Sequence, residues 1–159
     1  MPDQNVHFRP GTVEDGPGLK ELYRLTVLAN AKGSYPQEDV ERWSTAFNLE
    51  AWPQRLQDLT VIVAEVGNEL AGVASFDSEE CLVQTCYVHP RFNRQGIGRQ
   101  LLGQLEAKAK STGCQQVTLD ASLNAVPFYE KCGYRAIERE MRIYGERPFV
   151  VVKMAKSLD

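Results

Sequence analysis

Histidine is scarce in this chain: there are two, His7 and His89, far apart. The four cysteines, Cys81, Cys86, Cys114 and Cys132, include no Cys-x-x-Cys pair. Structural zinc sites draw mostly on closely spaced Cys and His, so a zinc site is not expected, nor any other metal. The same cysteines read as small apolar side chains, unpaired thiols of a reducing compartment, with Cys86 a minor candidate for anything more. No apolar stretch approaches the about 20 residues that cross a bilayer, and residues 1–10 are too polar for a signal peptide. Nor is there a block of like charge, and the formal net charge is −3, so neither a nucleic-acid stripe nor a membrane-surface helix is expected. These absences leave a soluble, cytoplasmic protein whose partners are small molecules or peptides. A homodimer stays open.

What is present is a hydrophobic fraction of 43% over 159 residues, enough for a core, and one domain over residues 1–159 is expected. A short strand at 6–9 precedes Leu19, Leu22, Tyr23, Thr26 and Ala29 at helical spacing. Lys32-Gly33 ends that helix, and Pro36 opens a second with Glu38 and Asp39 in its first turn and Val40, Trp43 and Phe47 on one face. After a short piece at 51–57, the β-branched run 60–66, the Gly67-Asn68 turn and the run 70–76 form a hairpin. A third strand, 81–88, is closed by His89-Pro90. Ile97, Leu101, Leu102, Leu105 and Ala109 then mark a strong helix, followed by a strand at 116–120. That crossover favours parallel pairing inside an otherwise antiparallel sheet. A short helix at 124–131, a strand at 137–144, a turn at 145–148 and a strand at 149–154 complete a mixed α/β (α+β) chain.

The most informative segment is residues 87–102, Tyr-Val-His-Pro-Arg-Phe-Asn-Arg-Gln-Gly-Ile-Gly-Arg-Gln-Leu-Leu, which orders a strand, a glycine turn and a helix start. A helix N-terminus offers unpaired backbone N–H groups, and Gly96 and Gly98 let a phosphate approach them. Arg94 and Arg99 would add charge-assisted contacts. The lysine of a P-loop is missing after Gly98, and the third glycine of a dinucleotide fingerprint is missing too. Taken alone, Gly-x-Gly reads equally well as a plain helix start.

The segment resembles the GNAT family of N-acetyltransferases, whose coenzyme A signature is Gln/Arg-x-x-Gly-x-Gly/Ala after a strand. A second hallmark, Asn-x-x-Ala-x-x-Phe/Leu-Tyr-Glu-Lys-x-Gly-Phe, resembles residues 122–134, Ser-Leu-Asn-Ala-Val-Pro-Phe-Tyr-Glu-Lys-Cys-Gly-Tyr. Asn93 stands where the first motif has Gln or Arg, and Ser122 where the second has its asparagine. The resemblance implies a mainly antiparallel twisted sheet with one parallel, splayed strand pair and helices on both faces. The pantetheine arm of acetyl-CoA would lie between strands 81–88 and 116–120, at a bulge near 86–88. Cofactor contacts are then expected from Cys86, Val88, Arg94, Gln95, Gly96, Ile97, Gly98, Arg99, Ser122 and Tyr129.

In that family the acceptor amine attacks the thioester directly, and Tyr129 is the candidate proton donor to the departing thiolate. Read from its own segment, Tyr129 would be a core residue beside Phe128. Gln84 and Thr85 stand where relatives often carry a carboxylate base; neither accepts a proton usefully, and Asp120, Glu80 and Tyr87 remain only through water. His89 reads as a strand-end hydrogen bonder. Tyr35, Trp43 and Trp52 would line the acceptor pocket, favouring an aromatic or hydrophobic amine over a polyamine. The alternative is a weakly catalytic acyl-CoA-binding or sensor module of the same fold.

Overall fold

The computed structural model describes residues 5–144 and 147–159. Gly67, at φ 63°, reverses the β-branched run so that β2 (Thr60–Val66) pairs antiparallel with β3 (Glu69–Asp77), from Thr60↔Phe76 to Val66↔Glu69. With β1 (Val6–Pro10), β4 (Leu82–Val88), β5 (Gln116–Ser122), β6 (Arg135–Tyr144) and β7 (Arg147–Ser157) they form a seven-stranded sheet of order β1-β2-β3-β4-β5-β7-β6. Among the described strands, only the β4–β5 neighbours run parallel. The helices are α1 (Gly16–Asn30), α2 (Gln37–Ser44), α3 (Trp52–Asp58), α4 (Ile97–Ser111) and α5 (Val126–Lys131).

Strand alternation divides the core between the two faces. Ala64, Ala71, Ala74 and Phe76 turn to the side that receives Ile97, Leu101, Leu102 and Leu105 of α4, all fully buried. Small sheet residues let this helix sit close: a β-carbon on Gly72 would lie 3.0 Å from both Leu101 Cδ1 and the Tyr87 carbonyl oxygen. The intervening Val61, Val63 and Val73 face the other way, against Leu19 and Leu22 of α1 and Trp52 of α3. Burying each such large apolar side chain stabilises by about 1.5–3 kcal/mol.

The parallel pairing is short. It comprises Leu82↔Thr118 and Val83↔Leu119, after which β4 and β5 diverge. The β3–β4 register shifts at that point, from Phe76↔Val83 to Ser75↔Thr85, leaving Gln84 as the extra residue. A bulge bends its strand and increases local twist, so it turns β4 away from β5. The sequence-based placement at 86–88 is therefore late by two residues. Register with β3 decides it, locked where the Ser75 and Thr85 hydroxyls share a 2.6 Å hydrogen bond.

Other boundaries shift for local reasons. α2 ends at Ser44, so Phe47 leaves its face and packs beside Trp52 and Leu19 instead. A 3-10 turn at Leu123–Ala125 precedes α5, which starts at Val126 with Pro127 in its first turn. β7 begins at Arg147, earlier than expected, and Gly145-Glu146 of the expected turn lie outside the described residues. Among the described residues no helix is long and apolar enough to cross a membrane.

The cysteines do not remain four thiols. Cys81, immediately before β4, is disulfide-bonded to Cys114, in the turn between α4 and β5, with Cα atoms 6.0 Å apart. Thirty-three residues separate them, so no spacing motif signals the pair; tertiary structure brings them together. The bond staples the closed end of the splay, where the Thr118 N–H also donates to the Cys81 carbonyl at 3.1 Å. Cys86 and Cys132 are free. Unfolded without reductant, the protein should titrate two thiols, and four after reduction; four without reductant would contradict the pairing. Closing a loop of this length contributes about 3–4 kcal/mol, so reduction should lower the urea-derived unfolding free energy by up to that amount.

Candidate active site

α4 begins where the chain can no longer continue the strand. Residues 90–92 form a 3-10 turn capped by His89, whose Nδ1 accepts the Arg91 N–H at 3.1 Å. His89 is thus occupied as a strand-end hydrogen bonder. Arg94 and Gly96 both take positive φ, 63° and 79°, and Gly96 caps α4 in the left-handed conformation. A non-glycine residue adopts this region at a cost of about 1–2 kcal/mol, so the turn is held in place by its surroundings. It carries the chain into the first turn of α4, whose N–H groups have no intrahelical acceptor. The Gln100 N–H to Gly96 carbonyl bond, 3.1 Å, closes the first full turn. The result is an anion cradle of backbone donors at the positive end of a 15-residue helix.

The glycines have different tasks. Gly96 supplies the left-handed cap. At Gly98 a β-carbon would meet the Phe128 ring at 2.9 Å and Val88 Cγ2 at 3.4 Å, so Gly98 lets α5 pack against the start of α4. Arg99 reinforces that junction by donating to the Lys131 carbonyl at 2.6 Å. Behind it, Lys156 Nζ donates to Glu106 (2.8 Å) and to the Cys132 carbonyl (2.9 Å), and the Tyr134 hydroxyl donates to Glu106 (2.9 Å). This network fixes the end of α5 and with it the position of Tyr129.

A cleft of about 1820 Å³ runs through the sheet at the splay. This is more than one small ligand requires and has room for two substrates. On the α4 side its wall includes Cys86, Val88, Arg94, Gly96, Ile97, Gly98, Arg99, Ser122 and Tyr129; of the expected cofactor residues only Gln95 is off it. The Val88 carbonyl is partly engaged, accepting from Thr26 Oγ1 at 3.2 Å. On the opposite side the wall is aromatic, with Tyr87 edge-on to Tyr23 (5.1 Å), Tyr23 to Phe47 (6.0 Å) and Phe47 tilted against Trp52 (5.8 Å). Trp43 and Trp52 both line the cleft. Tyr35 does not: its hydroxyl accepts the Leu123 N–H (2.8 Å) and donates to the Val150 carbonyl (2.7 Å), and its ring stacks on Phe149 at 4.2 Å. Tyr35 therefore clasps the α1–α2 connection to β7 rather than facing an acceptor.

Tyr129 stands where the two halves meet. It is buried, lines the cleft, and no described residue hydrogen-bonds its hydroxyl. Desolvation, reinforced by Cys86 and Tyr87 nearby, holds its phenol pKa well above the ordinary tyrosine value. It stays protonated. Cys86 shares this environment: although the residue is half-buried, its sulfur points to the Gly98 carbonyl at 3.9 Å, and burial pushes the thiol up to about 12. Such a thiol is a poor nucleophile at neutral pH. Of the three groups named as bases through water, Asp120 lines the cleft but is paired with Arg142 (3.1 Å), Tyr87 belongs to the aromatic wall, and Glu80 is exposed off it.

Asn124 is a cleft residue that motif matching passes over. Its Oδ1 is buried and has no hydrogen-bond partner among the described residues. Its place within the 3-10 turn at Leu123–Ala125, before α5 begins, puts it at the cleft. Lys131, the lysine of the second motif, also lines the wall, as does Arg55, which belongs to no motif. Among the described residues no group of three or more His, Cys, Asp or Glu could hold a metal ion.

The model of the Acetyltransferase (GNAT) domain family matches residues 31–158. A glucosamine 6-phosphate N-acetyltransferase of Trypanosoma brucei brucei is 41% identical over 61 residues, 38% of this chain, and the match spans 42% of that protein. A GCN5-related N-acetyltransferase of Rhodopseudomonas palustris superposes with a TM-score of 0.92 at 26% identity, covering 99% of each chain. The PaiA N-acetyltransferase of Thermoplasma acidophilum, solved with coenzyme A, has the same fold, with a TM-score of 0.81 at 21% identity over 96% of this chain and 99% of that one. Since the family model spans residues 31–158, most of the sequence, the chain belongs to the GNAT family of acetyltransferases and is an acyltransferase.

Proposed function

We propose that the protein transfers an acetyl group from acetyl-CoA to the amine of a small acceptor that enters from the aromatic side of the cleft. The observation that carries this reading is Tyr129, a protonated phenol whose hydroxyl has no hydrogen-bond partner among the described residues, at the junction of the anion cradle and the aromatic wall. A module that only bound acyl-CoA would have no use for a proton donor there.

The residues present fit the cosubstrate. Backbone N–H groups at the start of α4 and the Arg94 guanidinium suit its diphosphate. The orphaned Asn124 Oδ1 suits an amide N–H, and the pantetheine arm carries two amides; a buried acceptor without a partner otherwise costs about 1–3 kcal/mol. The splay beyond Leu82↔Thr118 and Val83↔Leu119 offers the arm unpaired strand edges.

The lone pair of the neutral amine forms a bond to the thioester carbonyl carbon as the carbon–sulfur bond breaks. Sulfur keeps the electron pair and takes the Tyr129 proton; the surplus proton on nitrogen leaves through water, and solvent reprotonates Tyr129. A phenol raised above its usual pKa would be too weak an acid for an ordinary thiolate. A leaving sulfur beside Tyr129 would meet the same desolvation, which raises a thiol's pKa as it raises a phenol's. Positioning two substrates and donating this proton supply the catalysis. Trp43 and Trp52, with Tyr23, Phe47 and Tyr87, give the acceptor an apolar wall.

Tyr129→Phe should lower kcat roughly 10²-fold while the coenzyme A Kd stays near wild type. Because burial raises the Tyr129 pKa, the proton-donating form persists as pH rises, and wild-type kcat should not fall from tyrosine ionisation below about pH 10. Thiol release over a pH series measures both; an unchanged kcat in the folded variant removes Tyr129 from the mechanism. Arg94→Gln should weaken coenzyme A binding several-fold and flatten its dependence on ionic strength, as read by calorimetry in low and high salt. Tight binding of coenzyme A without turnover of any amine would favour the sensor reading.

A further inference from the structure

The cleft is far more basic than the protein. It is lined by Arg42, Arg55, Arg94, Arg99, Lys131 and Arg147, against Asp39 and Asp120, in a chain of net charge −3. Arg94, Arg99 and Lys131 stand on the cradle side, where an anionic cosubstrate accounts for them. On the aromatic side Arg147 is neutralised by Asp39 at 2.7 Å, and Arg42 by Glu38 at 3.3 Å. Arg55 has no carboxylate partner among the described residues. Among the described residues its one hydrogen-bond partner is the neutral Gln84 Oε1, at 3.0 Å. Asp58, three residues on along α3, accepts from Gln54 Nε2 at 3.0 Å and forms no ion pair with Arg55.

The position of Arg55 follows from α3. Residues three apart share a helix face. Trp52 is anchored by its Nε1 donating to the Thr12 carbonyl at 3.0 Å, and so presents Arg55 to β4 one turn later. Gln84 is the bulged residue, next to Thr85, and both line the cleft. A guanidinium has five N–H donors in a fork that matches carboxylate or phosphate oxygens in pairs, and one amide oxygen leaves most of them unused.

We propose that the acceptor carries, besides its amine, an anionic group, and that Arg55 is the specificity residue that binds it, with Phe47 and Trp52 against the body between. This rests on the acetyl-transfer reading and names the acceptor's class within it. A carboxylate, as in an aromatic amino acid, and a phosphate, as on an amino sugar, share this chemistry. The assay therefore pairs each with its neutral counterpart: phenylalanine with phenethylamine, and glucosamine 6-phosphate with glucosamine. In at least one pair the anionic member should have a kcat/KM about tenfold or more above the neutral one. Arg55→Gln should bring that ratio towards one by raising KM for the anionic member, and Arg55→Lys should restore part of it. The pair that responds identifies the anion.

The proposal is overturned if the neutral members match or exceed the anionic ones in both pairs, or if Arg55→Gln lowers both members of a pair equally. If no amine releases thiol, acetyl transfer to these amines fails as a reading, and calorimetry of the same pairs on the coenzyme A complex still decides the Arg55 claim. Selective, Arg55-dependent binding of an anionic member supports it, and no binding or unselective binding overturns it.

Discussion

Everything functional in this molecule depends on one interruption: β4 and β5 pair for two residues and then part. Parallel strands that stayed in register would be closed to ligands. Here the bulge at Gln84 bends β4 immediately after the last parallel pair, while the Cys81–Cys114 bond holds the two strands together behind it. A sheet opened at one end and stapled at the other keeps its core and gains a passage between its faces.

The two faces then divide the work. On one, α4 buries its leucines against the alanines of β2 and β3, and its N-terminus, entered through the left-handed Arg94 and Gly96, becomes the cradle for negative charge. On the other, α1 and α3 bring an aromatic wall to the same opening, and α3 adds Arg55. Tyr129 is reached from both sides because α5 packs over Gly98 and is tied back through Arg99, Lys156 and Glu106. Electrostatic preorganisation of this kind depends on groups fixed before substrates arrive.

What could be read from sequence and what could not differ in their physical origin. The strand, glycine turn and helix at 87–102 were legible because each step has local causes: β-branched residues, a proline stop, a glycine cap and a 3.6-residue apolar stripe. The seven-stranded mixed sheet followed from alternation and one crossover. The disulfide was not legible, because Cys81 and Cys114 meet only through the β4–β5 pairing. The bulge was misplaced, since the Ser75–Thr85 hydroxyl pair that locks the register joins residues on two strands. Tyr35 was assigned to the acceptor pocket from its aromatic type beside a turn, yet its hydroxyl finds two backbone partners from opposite ends of the chain. Asn124 fills an unspecified position of the second motif, and Arg55 belongs to no motif. Their importance lies in what each lacks, a partner for a buried oxygen and a carboxylate for a cation, and such deficits exist only in three dimensions.

The central claim is that the opening between β4 and β5 is where the cosubstrate lies. Amide hydrogen exchange with and without coenzyme A tests it most directly, because an arm bound along a strand edge protects that strand's N–H groups. Saturating coenzyme A should slow exchange in residues 84–88, beyond the bulge, together with residues 96–99 at the start of α4. Binding that protects 96–99 while leaving 84–88 unchanged, or that protects neither segment, would contradict the account.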